Sequence, residues 1–176
     1  AKASGLKEFP VPYVLTNCHN SLCAVGGTIN ADDHAFGLSA AVKYGGDYVP
    51  ANQAVIHQYA RELLAGCGKM VLGSDSHTPT GGGIGMLAMG AGGLDVAVAM
   101  GGGAYYITMP KMVRVNLTGK LQPWVAAKDI ILKVLQIMSV KGGVGKIVDY
   151  GGEGVKTLSV PERATITNMG AELGAT

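Results

Sequence analysis

Apolar positions in this chain recur in two alternating rhythms. Short apolar runs of strand length stand at Tyr13-Val14-Leu15, Met70-Val71-Leu72, Val113-Arg114-Val115-Asn116-Leu117 and Lys146-Ile147-Val148-Asp149-Tyr150. Between them lie stretches with helical spacing. The plainest is 126–139, where Ile130, Ile131, Val134, Leu135 and Met138 share one side. A second helix is predicted over 52–66, with Asn52 as its cap, Val55, Ile56, Tyr59, Leu63 and Leu64 near helical spacing, and Gly66 or Gly68 as its stop. A third is expected to open at Asp32-Asp33, carry Ala35, Leu38, Ala41 and Val42, and close at Gly45-Gly46. Residues 84–100 are apolar and interrupted by glycine, which reads as one buried helix. Ser159-Val160-Pro161-Glu162 is a capping box with proline at the first turn, so another helix starts there. Strands alternating with helices predict an α/β fold, a three-layer α/β/α arrangement around a largely parallel sheet, with residues 1–176 as a single domain.

Composition narrows the picture. The chain has 176 residues, 48% of them hydrophobic and 15% charged, enough apolar material for a sizeable core. A net charge of +2 gives no electrostatic case for nucleic acid or an anionic membrane surface. Cys18, Cys23 and Cys67 do not form a disulfide framework, and the start of the chain carries no secretory signal pattern. Both features suit a reducing, cytoplasmic compartment. The chain begins at Ala1 and stops at Thr176 amid helix-forming residues, so it is expected to be a portion of a longer polypeptide.

The chemistry concentrates at Gly73-Ser74-Asp75-Ser76-His77-Thr78-Pro79-Thr80, just past the apolar run 70–72 and just before Gly81-Gly82-Gly83. A carboxylate, a hydroxyl and an imidazole there sit at the carboxyl end of a strand, the edge at which open α/β sheets place ligands. With His57 they form a set suited to acid–base work, because a carboxylate beside an imidazole raises its basicity and fixes its tautomer. The same types also serve structure: Asp75 and Ser76 are able to cap a helix, and His57 to be satisfied within its own helix. His57, Asp75 and His77 would equally make a two-histidine, one-carboxylate metal site. Cys18 and Cys23 lack a second cysteine pair, which argues against zinc.

Two glycine motifs point elsewhere. Lys141-Gly142-Gly143-Val144-Gly145-Lys146 imitates a phosphate-binding loop, but a helix precedes it, a strand follows, and Ile147 stands where a hydroxyl should bind magnesium. A nucleotide site using Lys146 is therefore the weaker alternative. Gly83-Ile84-Gly85 with Ala88 lacks the strand leading directly into it and the later acidic residue that a dinucleotide site needs.

Taken in order, these motifs resemble the aconitase family, which includes isopropylmalate dehydratase and homoaconitase. Asp75-Ser76-His77-Thr78 resembles its Asp-Ser-His-Thr signature, and Ile56-His57-Gln58 its Ile-His-Gln segment. Leu117-Thr118-Gly119, Lys128 through Lys133 and Lys141-Gly142-Gly143 resemble its next block. Asn168-Met169-Gly170-Ala171-Glu172 resembles its Asn-Met-Gly-Ala-Glu segment. The resemblance covers roughly residues 35–176. It implies a hydro-lyase that interconverts a hydroxy-di- or tricarboxylate with its unsaturated acid. It implies two catalytic pairs, His57 with Asp75 and His77 with Glu172, and places Ser76 and Asn168 at the substrate; His19 is the candidate to substitute there for the family's early Asp-His pair, which is not reproduced in register. It also implies a [4Fe-4S] cluster in the full-length protein, with ligands outside this chain, so that no metal ligand is assigned here and the fragment alone is expected to be inactive. The implied partners are the small-molecule carboxylate and the remaining domains of the same protein. One departure stands out. Where the family carries His-Cys-Asp-His, this chain has Asn17-Cys18-His19-Asn20, which leaves open a member that binds a carboxylate or phosphate without dehydrating it.

Overall fold

A computed structural model describes residues 1–175. The chain divides into two compact units, one formed by Ala1–Tyr59 with Gly93–Tyr105, the other by Ala60–Gly92 with the chain from Tyr106 onward.

The first unit is a β-α-β turn of chain. Strand β1 (Val14–Thr16) pairs in parallel with β2 (Asp47–Val49), with Leu15 opposite Tyr48. Parallel neighbours need a crossover, and helix α1 (Cys23–Tyr44) supplies it. Gly45 ends α1 in the left-handed region (φ 73°) and returns its N–H to the Ala41 carbonyl. Ala41, Tyr44 and Val49 are buried, and Phe9 stacks at a tilt against Tyr13 and Tyr44. The helix begins nine residues before Asp32, not at Asp32-Asp33. The acidic pair does not cap it; Asp33 instead accepts a hydrogen bond from the Asn20 side chain at 2.9 Å. Gly27 (φ 58°, ψ −140°) kinks its first turn, a conformation glycine adopts without steric penalty.

The helix expected over 52–66 is shorter and changes character. Asn52 lies in a turn at φ 66°, so it caps nothing. Helix α2 (Ile56–Tyr59) follows and passes into a π-helical turn, Ala60–Leu64, closed by the Ala65 N–H on the Ala60 carbonyl at 2.7 Å. Helix α3 (Gly93–Met100) also belongs to this first unit.

In the second unit, β3 (Met70–Gly73) pairs in parallel with β4 (Leu87–Gly90), and β5 (Lys111–Asn116) with β6 (Lys146–Gly151). The single helix expected over 84–100 is thus a strand followed by α3. Gly85, left-handed at φ 77°, ends the preceding turn, and Leu87–Gly90 then finds the open edge of β3. Helix α4 (Ala127–Met138) crosses between β5 and β6 and buries Ala127, Ile131 and Val134. These pack with Leu158, Ile166 of α5 (Val160–Asn168) and Leu173 of α6 (Gly170–Leu173) to form the main core. The predicted capping box is present at α5: the Ser159 amide donates to the Glu162 carboxylate at 2.7 Å, and the Glu162 amide to the Ser159 hydroxyl at 3.4 Å.

The class is α/β with parallel pairing, as the alternation of strands and helices predicts. Among the described residues it is built as three two-stranded parallel pairs. No described helix is long and apolar enough to cross a membrane.

Candidate active site

The loop after β3 is organised by its own polar side chains. The Asp75 carboxylate accepts the His77 amide at 2.7 Å, a tight local turn. The Asp75 carbonyl accepts the Thr78 hydroxyl at 2.7 Å, and a 3-10 turn then runs Thr78–Ile84 with Pro79 in its first positions. Glycine lets neighbouring segments press against this loop. A Cβ on Gly90 would stand 2.8 Å from the Asp75 carbonyl, and one on Gly83 would stand 2.7 Å from the Ala164 nitrogen in α5.

That packing brings α5 and α6 to the loop. The Thr167 hydroxyl donates to the Thr80 carbonyl at 3.2 Å. The Thr80 hydroxyl lies 2.7 Å from the His77 carbonyl and 2.8 Å from the Asn168 side-chain oxygen, its one proton serving either. Thr78 and Thr80 are buried polar groups, and their hydroxyls are bonded, as burial requires. Neither threonine was singled out from sequence; the signal available was a pair of hydroxyls flanking Pro79 at a 3-10 start.

His77 is the centre of the arrangement. Its Nε2 lies 3.2 Å from Glu172 Oε1 on α6, a residue 95 positions away. Its Nδ1 lies 3.2 Å from the Ser76 hydroxyl and 3.7 Å from Asp75 Oδ1. With Nε2–H donating to Glu172, Nδ1 is left to accept from Ser76; on protonation both nitrogens donate, and a carboxylate waits on each side. The side chains are about a quarter (Asp75) to two-fifths (Glu172) exposed, open enough to meet a solute.

His57 lies on α2 in the first unit, whereas Asp75 belongs to the second. Within the first unit, His19 sits on a 3-10 turn (Cys18–Asn20) directly after β1. Its ring is edge-on to that of His57, with centroids 6.5 Å apart, and its Nδ1 lies 3.1 Å from the Cys18 thiol.

The glycine decoys resolve on their backbone. Lys146 opens β6 after a turn, and its ammonium donates to the Gly142 carbonyl at 2.6 Å, closing its own loop. Gly83-Ile84-Gly85 finishes a 3-10 turn and does not open a dinucleotide-binding helix. An iron–sulfur cluster would need cysteine thiolates gathered in one place. Cys18 and Cys23 each face a histidine, and among the described residues no three His, Cys, Asp or Glu side chains converge as a metal site. These residues do not fit a cluster.

A parallel α/β chain that sets an imidazole between two carboxylates at a strand's carboxyl end defines a class suited to proton transfer at a small polar substrate. Comparison with known proteins makes that class specific. Residues 20–176 match the aconitase family (aconitate hydratase), and the chain belongs to that family. It is 41% identical to the mitochondrial aconitate hydratase of Saccharomyces cerevisiae, over 99% of this chain and 23% of that protein. It is 48% identical to the mitochondrial aconitate hydratase of Gracilaria gracilis, over 84% of this chain and 19% of the relative. It is 47% identical to the mitochondrial homocitrate dehydratase of Saccharomyces cerevisiae, over 78% and 18%. The chain thus spans about a quarter of the length of the curated relatives it matches. These names overturn one expectation. Few cysteines and no signal pattern pointed to the cytoplasm, but the relatives are mitochondrial proteins by name. Three free cysteines suit any reducing compartment, so cysteine usage does not separate the two locations.

Proposed function

We propose that these residues form part of a hydro-lyase that reversibly removes water from a hydroxy-di- or tricarboxylate, in a protein located as its relatives are named. Membership of the aconitase family supports the reaction class. The observation that carries the site is His77 held between Glu172 at 3.2 Å and Asp75 at 3.7 Å.

Dehydration breaks a C–H and a C–O bond on adjacent carbons, so it needs a base at carbon and an acid at the departing oxygen. His77 with Glu172 is the pair for that oxygen: Glu172 holds Nε2–H, orienting the ring and stabilising its charged form, and the proton given to the oxygen is the one on Nδ1. In hydration the same proton returns to His77. His57 paired with Asp75 is carried over from the family resemblance as the second acid–base couple. Ser76 acts beside His77, and Asn168 and His19 are assigned to hold the substrate's carboxylates and hydroxyl. A [4Fe-4S] cluster, if the intact protein has one, draws its ligands from elsewhere in the polypeptide; no step here runs through it.

In the intact protein, His77→Ala should reduce turnover on hydroxy-polycarboxylates by on the order of 100-fold or more, the range of a lost general acid. Unchanged turnover on citrate, isocitrate and homocitrate, in a wild type that is active, would overturn the assignment. The substitution of the family's His-Cys-Asp-His by Asn17-Cys18-His19-Asn20 supports a second reading, a member that binds a carboxylate or phosphate without dehydrating it. Ligand-induced thermal stabilisation of the wild type with no turnover would select that reading.

A further inference from the structure

We propose that Cys23 and His34 form a nucleophilic thiol–imidazole pair, a modification site for soft carbon electrophiles bearing an activated double bond. On a straight α-helix, residues eleven apart lie about 16 Å apart along the axis. The kink at Gly27 undoes that separation: it turns the first turn of α1 back, and the Cys23 thiol comes to 3.6 Å from His34 Nδ1.

The imidazole is held by a third group. His34 Nε2 lies 2.8 Å from the Asn20 carbonyl oxygen, which only accepts, so Nε2 carries the ring proton. Nδ1 is then the basic nitrogen, and it is the one facing the thiol. A nucleophile, a base within reach and a group orienting the base is the pattern of an activated nucleophile. Asn20 is itself fixed by its side-chain bond to Asp33, and the Tyr48 hydroxyl reaches both Asn17 (3.1 Å) and the His34 carbonyl (3.3 Å). The imidazole therefore sits on a braced frame. Cys23 is exposed, so a reagent in solution reaches it.

The addition balances within the pair. The thiol proton passes to His34 Nδ1. The sulfur then bonds to the β-carbon of the double bond, the π electrons move to the α-carbon, and that carbon takes the proton back from Nδ1. Nothing else is consumed. None of these residues belongs to the proposed hydro-lyase pairs, so this inference stands or falls separately.

Cys67 provides an internal comparison, since it too is exposed and has no hydrogen bond to a histidine among the described residues. The test is limiting N-ethylmaleimide on the intact protein, with adducts quantified peptide by peptide by mass spectrometry. The Cys23 adduct should form on the order of tenfold faster than the Cys67 adduct, because only Cys23 has an imidazole base within reach of its thiol. His34→Gln keeps an amide donor for the Asn20 carbonyl but removes the base. It should bring Cys23 down to about the Cys67 rate while leaving Cys67 unchanged. Unchanged Cys67 labelling and an unchanged circular dichroism spectrum show that the variant is folded. A wild-type Cys23 no faster than Cys67, or a Cys23 rate that His34→Gln does not lower, overturns the proposal.

Discussion

The contact between the loop after β3 and helix α5 rests on a missing methyl group at Gly83. A Cβ there would lie 2.7 Å from the Ala164 nitrogen, 2.8 Å from its Cα and 3.0 Å from its Cβ. Ordinary contact begins near 3.4 Å, so Gly83→Ala forces a separation of about 0.7 Å. Two of the three atoms are backbone inside a helix, so no side-chain rotation relieves the clash. Overpacking of this kind costs about 1–3 kcal/mol. The expected readout is amide exchange of residues 162–168 in the intact protein, whose protection should fall about 5- to 150-fold, that energy expressed as an opening constant. The site should feel the shift as well. Moving α5 and α6 outward by the same amount lengthens the 3.2 Å His77–Glu172 contact towards 4 Å, past hydrogen-bond range. A second substitution discriminates the cause. Adding Ala164→Gly removes only the Cβ, so the double variant should recover little protection. Protection within about twofold of wild type in Gly83→Ala, or full recovery in the double variant, would refute the reasoning.

Two further outcomes are specific. Ser159→Ala removes the hydroxyl half of the α5 capping box and should destabilise that helix by about 1 kcal/mol, seen as faster amide exchange at Glu162 and Arg163. The Glu162 carboxyl is held below its ordinary value by the Ser159 hydroxyl and amide, so its half of the cap contributes above the ordinary value and fades as pH falls through the lowered one; the wild-type advantage in exchange protection should shrink in acid to what the Glu162 amide–Ser159 hydroxyl bond supplies. Burial pushes the Tyr150 phenol up from 10.0 to about 12. Below pH 10 both states hold the proton; between 10 and about 12 the unfolded chain loses it first, so stability falls as pH rises. Tyr150→Phe should remove that slope, worth no more than about 2 kcal/mol for a side chain that keeps some solvent contact, and urea midpoints at pH 8 and 11 for both proteins check it.

What the sequence discloses depends on how local the cause is. The α5 capping box and the apolar side of α4 are set by residues three and four apart, so both were legible. The Asp75-Ser76-His77 turn was legible for the same reason, since the carboxylate bonds an amide only two residues on. The strand β4 was not. Met86-Leu87-Ala88-Met89 has no alternation, and a buried strand and a buried helix present the same apolar run. What decides for strand is Gly85 in the left-handed region and the open edge of β3, neither of which shows in the run itself. The early start of α1 was hidden similarly, because Gly26-Gly27 reads as a break and is in fact a kink inside the helix. The approach of Glu172 to His77 spans 95 residues, and no periodicity reaches that far; only the family resemblance joined them.

The glycines around the site show how one composition supports two opposite readings. A run such as Gly81-Gly82-Gly83 suggests a cradle for an anion, where the absent side chains make room for a ligand. Here the space is already taken. A Cβ on Gly73 would run into the Thr78 hydroxyl, one on Gly81 would meet Ala88, one on Gly82 would meet Thr167, and one on Gly83 the backbone of α5. The room that glycine leaves is filled by protein, and the consequence is positional. Because α5 lies directly on the loop, the short α6 that follows it reaches His77 with a four-residue turn bearing Glu172. Substitutions along the glycine run should therefore act on activity through the distance between an imidazole and a carboxylate. Asn168, assigned to hold the substrate, rides on α5, so in Gly83→Ala both kcat, through the imidazole–carboxylate distance, and KM, through Asn168, are expected to change.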